Sequence, residues 1–392
     1  MEHYPDSPTR DYVLRHREDD VRQLALRGSR TEGVDLALAL RQIASWQTAR
    51  RKLPSWAACE GLLYPPRLSM EQCSSEATAR YKAGILASLD TAVATLVDLT
   101  GGFGVDFSFL ARQAVRAVYV ERDAVLCDLA RHNFPLLGLS HATVECAEAA
   151  DYLQALPSAD VIFMDPARRD THGGRTYALA DCTPDVLQLQ SLLRSKARYV
   201  LLKLSPMLDW QKTVSDLGED WVREVHVVSV AGECKELLVL LGEGSGLRLF
   251  CVNDGDVFEA SGADSVTDFS CVSSGQWLYE PHASVMKAGC FGTLARRFGL
   301  AGVGPHSHLF VSDGPVEGFP GRCFRVEAVS SLNKRDVRSL LQDVRRANIT
   351  VRNFPLSVAE LRRRLKLAEG GDVYLFATTL SDGSHVLVRC KK

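Results

Sequence analysis

Val97-Asp98-Leu99-Thr100-Gly101-Gly102-Phe103-Gly104-Val105-Asp106 is the stretch on which the fold turns. It follows a short apolar run and opens an apolar-periodic one, so it joins a strand to a helix. Glycines at 101, 102 and 104 let the backbone turn tightly and approach a ligand with no Cβ in the way. The helix start beyond them offers free backbone N–H groups. The last glycine of a dinucleotide fingerprint is missing, because Phe107 stands there. Asp98 also argues against a pyrophosphate, which a carboxylate beside the loop would repel. It suits a cationic ligand group, met directly or through water. Taken alone, the segment also allows a glycine-rich turn with no ligand.

Outward from this loop, short apolar runs alternate with helical stretches. Ala94–Leu99, Ala117–Glu121, Ala142–Cys146, Val161–Asp165 and Tyr199–Lys203 read as strands. Gly104–Ala114, Ala124–Phe134 and Pro184–Lys196 read as helices between them. Repeated β-α alternation predicts a parallel sheet covered on both faces. Val222–Val230 and Glu236–Leu241 follow with only a short link, so they must pair antiparallel. Five parallel strands closed by such a hairpin make the seven-stranded pattern of class I, Rossmann-like methyltransferases, a domain expected over residues 86–245. Before it, residues 1–85 form a helical region, with helices over Asp11–Arg27, Asp35–Arg51 and Glu76–Leu89. After it, Leu247–Val252 and Asp256–Ala260 flank an Asn-Asp-Gly turn and read as a hairpin. The segment 246–322 is otherwise hard to assign, and a ferredoxin-like unit is the expectation. A smaller α+β unit occupies residues 323–392, with strands at Cys323–Ala328, Ile349–Val351, Val373–Thr378 and His385–Cys390. Its helices are expected over Lys334–Ala347 and Ser357–Leu367.

Composition sets the class. Of 392 residues, 46% are apolar and 24% charged, the balance of an ordinary globular protein, and the length predicts two to four domains. No run approaches the ~18 uncharged apolar residues of a membrane helix, and the N-terminus has no apolar signal core. A cytoplasmic protein with no membrane partner is expected. Eleven cysteines form no C-x-x-C pair and lie at no metal-ligand spacing to histidine, so reduced thiols and no metal are expected. A net charge of −2 makes the whole chain no magnet for nucleic acid. Ser331–Lys392, however, holds 13 Lys and Arg against 6 Asp and Glu, an excess that suits an anionic partner.

Ligands of open α/β sheets bind at the carboxyl ends of the strands. Four features fall there. Asp98, with Thr100, Gly101, Gly102 and Gly104, follows the first strand. Glu121 ends the second, where a carboxylate accepts both hydroxyls of a ribose. Glu148-Ala149 follows the third, placing a side chain or a backbone N–H against an adenine edge. Asp165-Pro166 ends the fourth. Together they predict an S-adenosylmethionine (SAM) site with Asp165 and Pro166 as the catalytic pair. Asp165-Pro166-Ala167-Arg168-Arg169 resembles the D/N-P-P-aromatic motif of amino-group methyltransferases, in which acid and proline carbonyl aim the target nitrogen at the methyl carbon. Ala167 and Arg168 replace the second proline and the aromatic. Arginine stacks on a base or grips a phosphate, so a nucleic-acid substrate stays open. Arg168, Arg169 and Arg175 form a basic loop over the site, and Lys203 at the end of the fifth strand is a candidate to orient substrate.

Longer matches point to a family. LPSWAACEGLLYPPRLSMEQCSSEATARYKA (53–83), DLTGGFGVDFSF (98–109), MDPARR (164–169), LYEPHASVMKAG (278–289) and FPLSVAELRRRLKL (354–367) resemble bacterial class I SAM-dependent methyltransferases with a C-terminal THUMP-like domain, of the Bacteroidetes type. More distantly, the core is similar to the trimethylguanosine-synthase methyltransferases. The resemblance implies SAM as cofactor, held also by Ser75 and Lys82 in a segment that closes over it. It implies RNA binding by the C-terminal unit, through Arg363 and Arg364 on a basic helix. A methyltransferase acting on a base of rRNA or tRNA is therefore expected. Methylation of a protein or small molecule, or a binding module without catalysis, remain the alternatives. Oligomeric state is not legible.

Overall fold

A computed structural model describes residues 5–28, 32–168, 179–244 and 246–392. By packing, the chain divides into two units: residues 1–223 with 237–246, and residues 224–236 with 247–392. No described helix is long and apolar enough to cross a membrane.

The first unit is built on β1 (Val93–Asp98), β2 (Ala114–Glu121), β3 (Ala142–Cys146), β4 (Ala159–Met164) and β5 (Ala197–Leu204). β2 and β4 flank β1 in parallel, β3 extends β2, and β5 extends β4. β6 (Val222–Val230) and β7 (Glu233–Gly242) form the hairpin, and β7 runs antiparallel to β5 through Leu237–Gly242. The order 3-2-1-4-5-7-6 is that of class I methyltransferases. Unbroken buried runs at Leu96–Asp98, Val161–Met164 and Tyr199–Leu202 match a sheet covered on both faces there. The switch in strand order lies between β1 and β4, which fixes where a ligand is expected.

The N-terminal helices belong to this unit. The single helix expected over Asp11–Arg27 is two, Ser7–His16 and Val21–Arg27, because Asp20 accepts from the N–H groups of Arg22 and Gln23 and starts a new helix. Leu36–Lys52 and Glu76–Ala87 fall where expected. Trp56, Tyr64 and Met70 from this region close a core with Phe103, Val105 and Phe109 from the glycine loop and its helix. The Trp56 indole N–H donates to Ser108 Oγ at 3.2 Å.

In the second unit, Arg248–Asn253 pairs in parallel with β6, and Asp256–Ala260 pairs antiparallel with Arg248–Asn253. These strands are additions to the seven-stranded pattern. Because Arg248–Asn253 is hydrogen-bonded to β6, the division between units falls inside the β6–β7 hairpin as well as near the expected boundary at 245/246. A second sheet takes in Trp277–Pro281, Phe310–Ser312, Gly321–Ser330, Asn348–Arg352, Tyr374–Thr379 and His385–Lys391. Lys334–Leu340 and Val358–Leu365 pack on it through Leu340, Leu361 and their neighbours. Glu280, in the specific segment 278–289, is buried between Arg322 and Arg352 on two other strands, which accounts for an acid in an apolar run.

Candidate active site

A cavity of about 570 Å³ opens at the carboxyl ends of β1–β5. That lies within the ~300–1,000 Å³ range of small-molecule sites. Asp98, Thr100, Gly101, Gly102, Gly104, Glu121, Glu148, Ala149, Asp165 and Lys203 all line it.

Local chemistry explains the loop. Gly102 and Gly104 take φ of +54° and +83°, in the left-handed region that favours glycine. Gly104 N–H donates to Gly101 O at 2.8 Å, and Gly101 N–H to Val120 O at 2.9 Å. The Tyr119 hydroxyl donates to Gly102 O. Glu121 accepts from Gly102 N–H through Oε2 and from Asp123 N–H through Oε1, each at 2.9 Å. The ribose candidate is thereby held rigidly at the loop. Glu148 caps no N–H of the helix Ala149–Ala155 with its side chain, which lies 60% exposed.

Gly101 is the most sharply constrained position. A Cβ there would lie 2.1 Å from the ring of Tyr119. That ring packs edge-on against Phe107 and Phe134 and is fully buried. Gly101→Ala is expected to lower unfolding free energy by about 1–3 kcal/mol, the cost of overpacking, and to weaken nucleotide binding with it. Urea unfolding beside Gly84→Ala is the check, since Gly84 is exposed on a helix, has no left-handed φ, and a Cβ there meets nothing within 4 Å. Equal urea midpoints in the two variants would overturn this account of the loop.

The acids differ in charge state. Asp98 is 1% exposed and accepts from Thr100 N–H at 2.9 Å. Burial pushes its carboxyl well above the usual range against that hydrogen bond, and Asp106, Asp165 and Glu121 push the same way. A cationic group entering the cavity would restore its charge, so the donor set fits the positively charged methionine end of SAM. Asp165 is raised by burial, with Lys203 opposing, although its side chain keeps 40% exposure. Its N–H donates to Thr100 Oγ1 at 2.6 Å. Asp106 is lowered: burial acts against the charge, but Lys82, Lys203 and the Ser74 hydroxyl outweigh it.

Some expected site residues lie elsewhere. Ser75 caps the helix Glu76–Ala87, accepting from Thr78 N–H at 3.2 Å, and Ser74 lines the cavity in its place. Lys82 does not line the cavity; it is fully buried behind it, 3.1 Å from Asp106. Pro166 is buried beside the cavity. Arg168 pairs through its backbone with Cys182, while Arg169 and Arg175 lie outside the described residues. Arg363 and Arg364 are exposed on the helix Val358–Leu365 of the second unit. Sequence reading assigns no role to Asp106. The available signal is an acid between Val105 and Phe107 on an otherwise apolar helix.

A 3-2-1-4-5-7-6 sheet with this acid-lined cavity at its switch point defines a class I methyltransferase. Residues 277–320 match a ferredoxin-like domain model and residues 321–392 a THUMP domain-like model. The crystal structure of a Porphyromonas gingivalis W83 protein assigned as a methyltransferase is 34% identical, with a TM-score of 0.84, covering 98% of this chain and 97% of that one. Relatives named as SAM-dependent methyltransferases in two Mycobacterium tuberculosis strains, H37Rv and CDC 1551, are each 29% identical over 322 residues, 81% of this chain and 84% of theirs. The chain belongs to the bacterial class I SAM-dependent methyltransferases that carry a C-terminal THUMP-like domain. It is an enzyme, and SAM is its methyl donor.

Proposed function

We propose that this methyltransferase modifies RNA, with Asp98 holding the methionine end of SAM, Glu121 the ribose, Glu148 and Ala149 the adenine, and Asp165 the acceptor. SAM supplies a methyl group on a positively charged sulfur. The chain's own work is to orient the two reactants, exclude water and handle one proton. Thr100 and Lys203 fix Asp165 for that purpose, and Pro166 fixes the backbone beside it.

The observation that carries the RNA reading is charge. Thirteen basic residues against six acidic ones lie in Ser331–Lys392, the THUMP-like stretch. Within it, Arg363 and Arg364 present exposed side chains on one short helix. The dock is electrostatic, so affinity should fall with salt. For mixed cellular RNA, Arg363→Ala and Arg364→Ala are each expected to weaken binding and to flatten the log–log salt dependence by about 1. Filter binding across a salt series reads this out. A slope unchanged in the double variant would remove this helix from the RNA surface.

A further inference from the structure

Four ionisable side chains alternate in sign from the core to the cavity. Lys82 Nζ lies 3.1 Å from Asp106 Oδ1, and Lys203 Nζ lies 3.4 Å from Asp106 Oδ2. Lys203 Nζ also lies 2.5 Å from Asp165 Oδ2. The Ser74 hydroxyl donates to Asp106 Oδ2 at 2.7 Å and steadies the inner acid. Lys203 is therefore a cation fixed between two carboxylates, one deep and one facing the cavity. No described residue donates a hydrogen bond to Asp165 Oδ1. A proton acceptor and a fixed positive charge thus stand side by side at the acceptor end.

Resting on the RNA reading above, we infer that the methyl acceptor is a hydroxyl, the ribose 2′-hydroxyl of RNA, rather than a nitrogen of a base. Charge is the first reason. An amino group that attacks a methyl carbon becomes positive, and is best served by acceptors whose charge is not already spent. Here the carboxylate is paired with Lys203, and a second ammonium lies behind it. A hydroxyl makes the opposite demand. It must shed a proton to a base within reach, and its oxygen gains negative charge that a fixed cation stabilises.

Shape is the second reason. A base that is to be methylated is drawn out of its stack and held between aromatic or apolar faces. Among the described residues lining the cavity, the aromatics are Phe103 and Phe163, 8% and 1% exposed and so sunk in the wall. In the sequence, Arg168 takes the place of the motif's aromatic. The 2′-hydroxyl lies on the sugar, is displayed at the surface of RNA, and needs no extrusion.

The step balances within the known activity. The 2′-hydroxyl proton passes to Asp165 Oδ1. An oxygen lone pair forms the O–CH₃ bond as the S–CH₃ bond of SAM breaks, and that bonding pair stays on sulfur to give S-adenosylhomocysteine. Asp165 then releases its proton to water. Lys203 keeps its place throughout, with Asp106, Lys82 and Ser74 as the residues that position it.

The test uses the full chain, SAM labelled in the methyl group, and total RNA from cells lacking this gene. Labelled RNA is hydrolysed in alkali, which cannot cleave beside a methylated 2′-oxygen. Label in alkali-resistant dinucleotides, reduced at least 100-fold by Lys203→Met and Asp165→Asn, is the expected result. Calorimetry should show SAM affinity in both variants within twofold of wild type, which separates a catalytic loss from a folding one. Label in mononucleotides as a methylated base overturns the inference and leaves RNA methylation standing. RNA that takes up no label from protein shown to bind SAM overturns the RNA reading, and this inference with it.

Discussion

Asp98→Ala will weaken SAM binding roughly 10- to 150-fold, the equivalent of the ~1.5–3 kcal/mol of a hydrogen bond to a charged group. The loss arises because Asp98 is a buried acid of the cavity whose charge burial suppresses until a cation meets it. The sign of the linkage follows. The folded pKa of Asp98 lies above its unfolded value of about 3.9, so the stability it contributes is complete below that value and is lost as pH rises through the folded one. A cationic ligand reverses this by favouring the carboxylate, so SAM binding at a pH below the raised value releases a proton. Calorimetry in two buffers of different ionisation heat measures that proton, and Asp98→Ala should abolish it without loss of stability in the ligand-free protein. Unchanged affinity in the variant would displace Asp98 from the methionine end.

Lys82→Met is expected to destabilise the ligand-free first unit by about 3 kcal/mol, the lower end of what removing one partner of a buried ion pair costs. The lower end applies because Lys203 and Ser74 still face Asp106. Asp106 has a lowered pKa, so its stabilisation is present above the unfolded value near 3.9 and is lost as pH falls through the folded one. In Lys82→Met that acid limb should move to higher pH. Urea unfolding across pH 3–7 checks both statements. Arg80→Met is the control: Arg80 is 61% exposed in its pair with Glu76, and surface pairs contribute about 0–1 kcal/mol. Equal losses in the two variants would mean that the Lys82 pair carries no special weight.

The central strands β1, β4 and β5 were legible because each holds a short apolar, largely buried run, whereas β3 is partly exposed and was placed by the β-α alternation. β3 and β6 fall on their predicted bounds, and β1, β2, β4 and β5 differ from prediction by one to three residues at an end. Capping was harder to see. Asp20 divides a helix that looks continuous by apolar spacing, and Lys334–Leu340 ends early where residues 345–347 turn aside to bond Ala368. The residues that line the cavity were readable because its acids sit at strand ends, which the β-α alternation locates. The Lys82–Asp106–Lys203–Asp165 series was not. Its members come from a helix before β1, a helix after it, and the ends of β5 and β4, so only the folded sheet makes them neighbours.

The division of the chain has a practical side. The second unit owns residues 224–236, an island taken from the middle of the methyltransferase hairpin, and Arg248–Asn253 is hydrogen-bonded to that island. The second unit therefore does not begin cleanly at residue 247, because its first strand is laid on residues 224–229. A chain ended near residue 245 would bare the apolar edge of β6, and a chain begun there would lack the strand on which its first hairpin is laid, each leaving the kind of open edge that pairs with strangers. An end-to-end fusion at residue 245, natural or engineered, would therefore not join two pieces whose strand edges were each already paired.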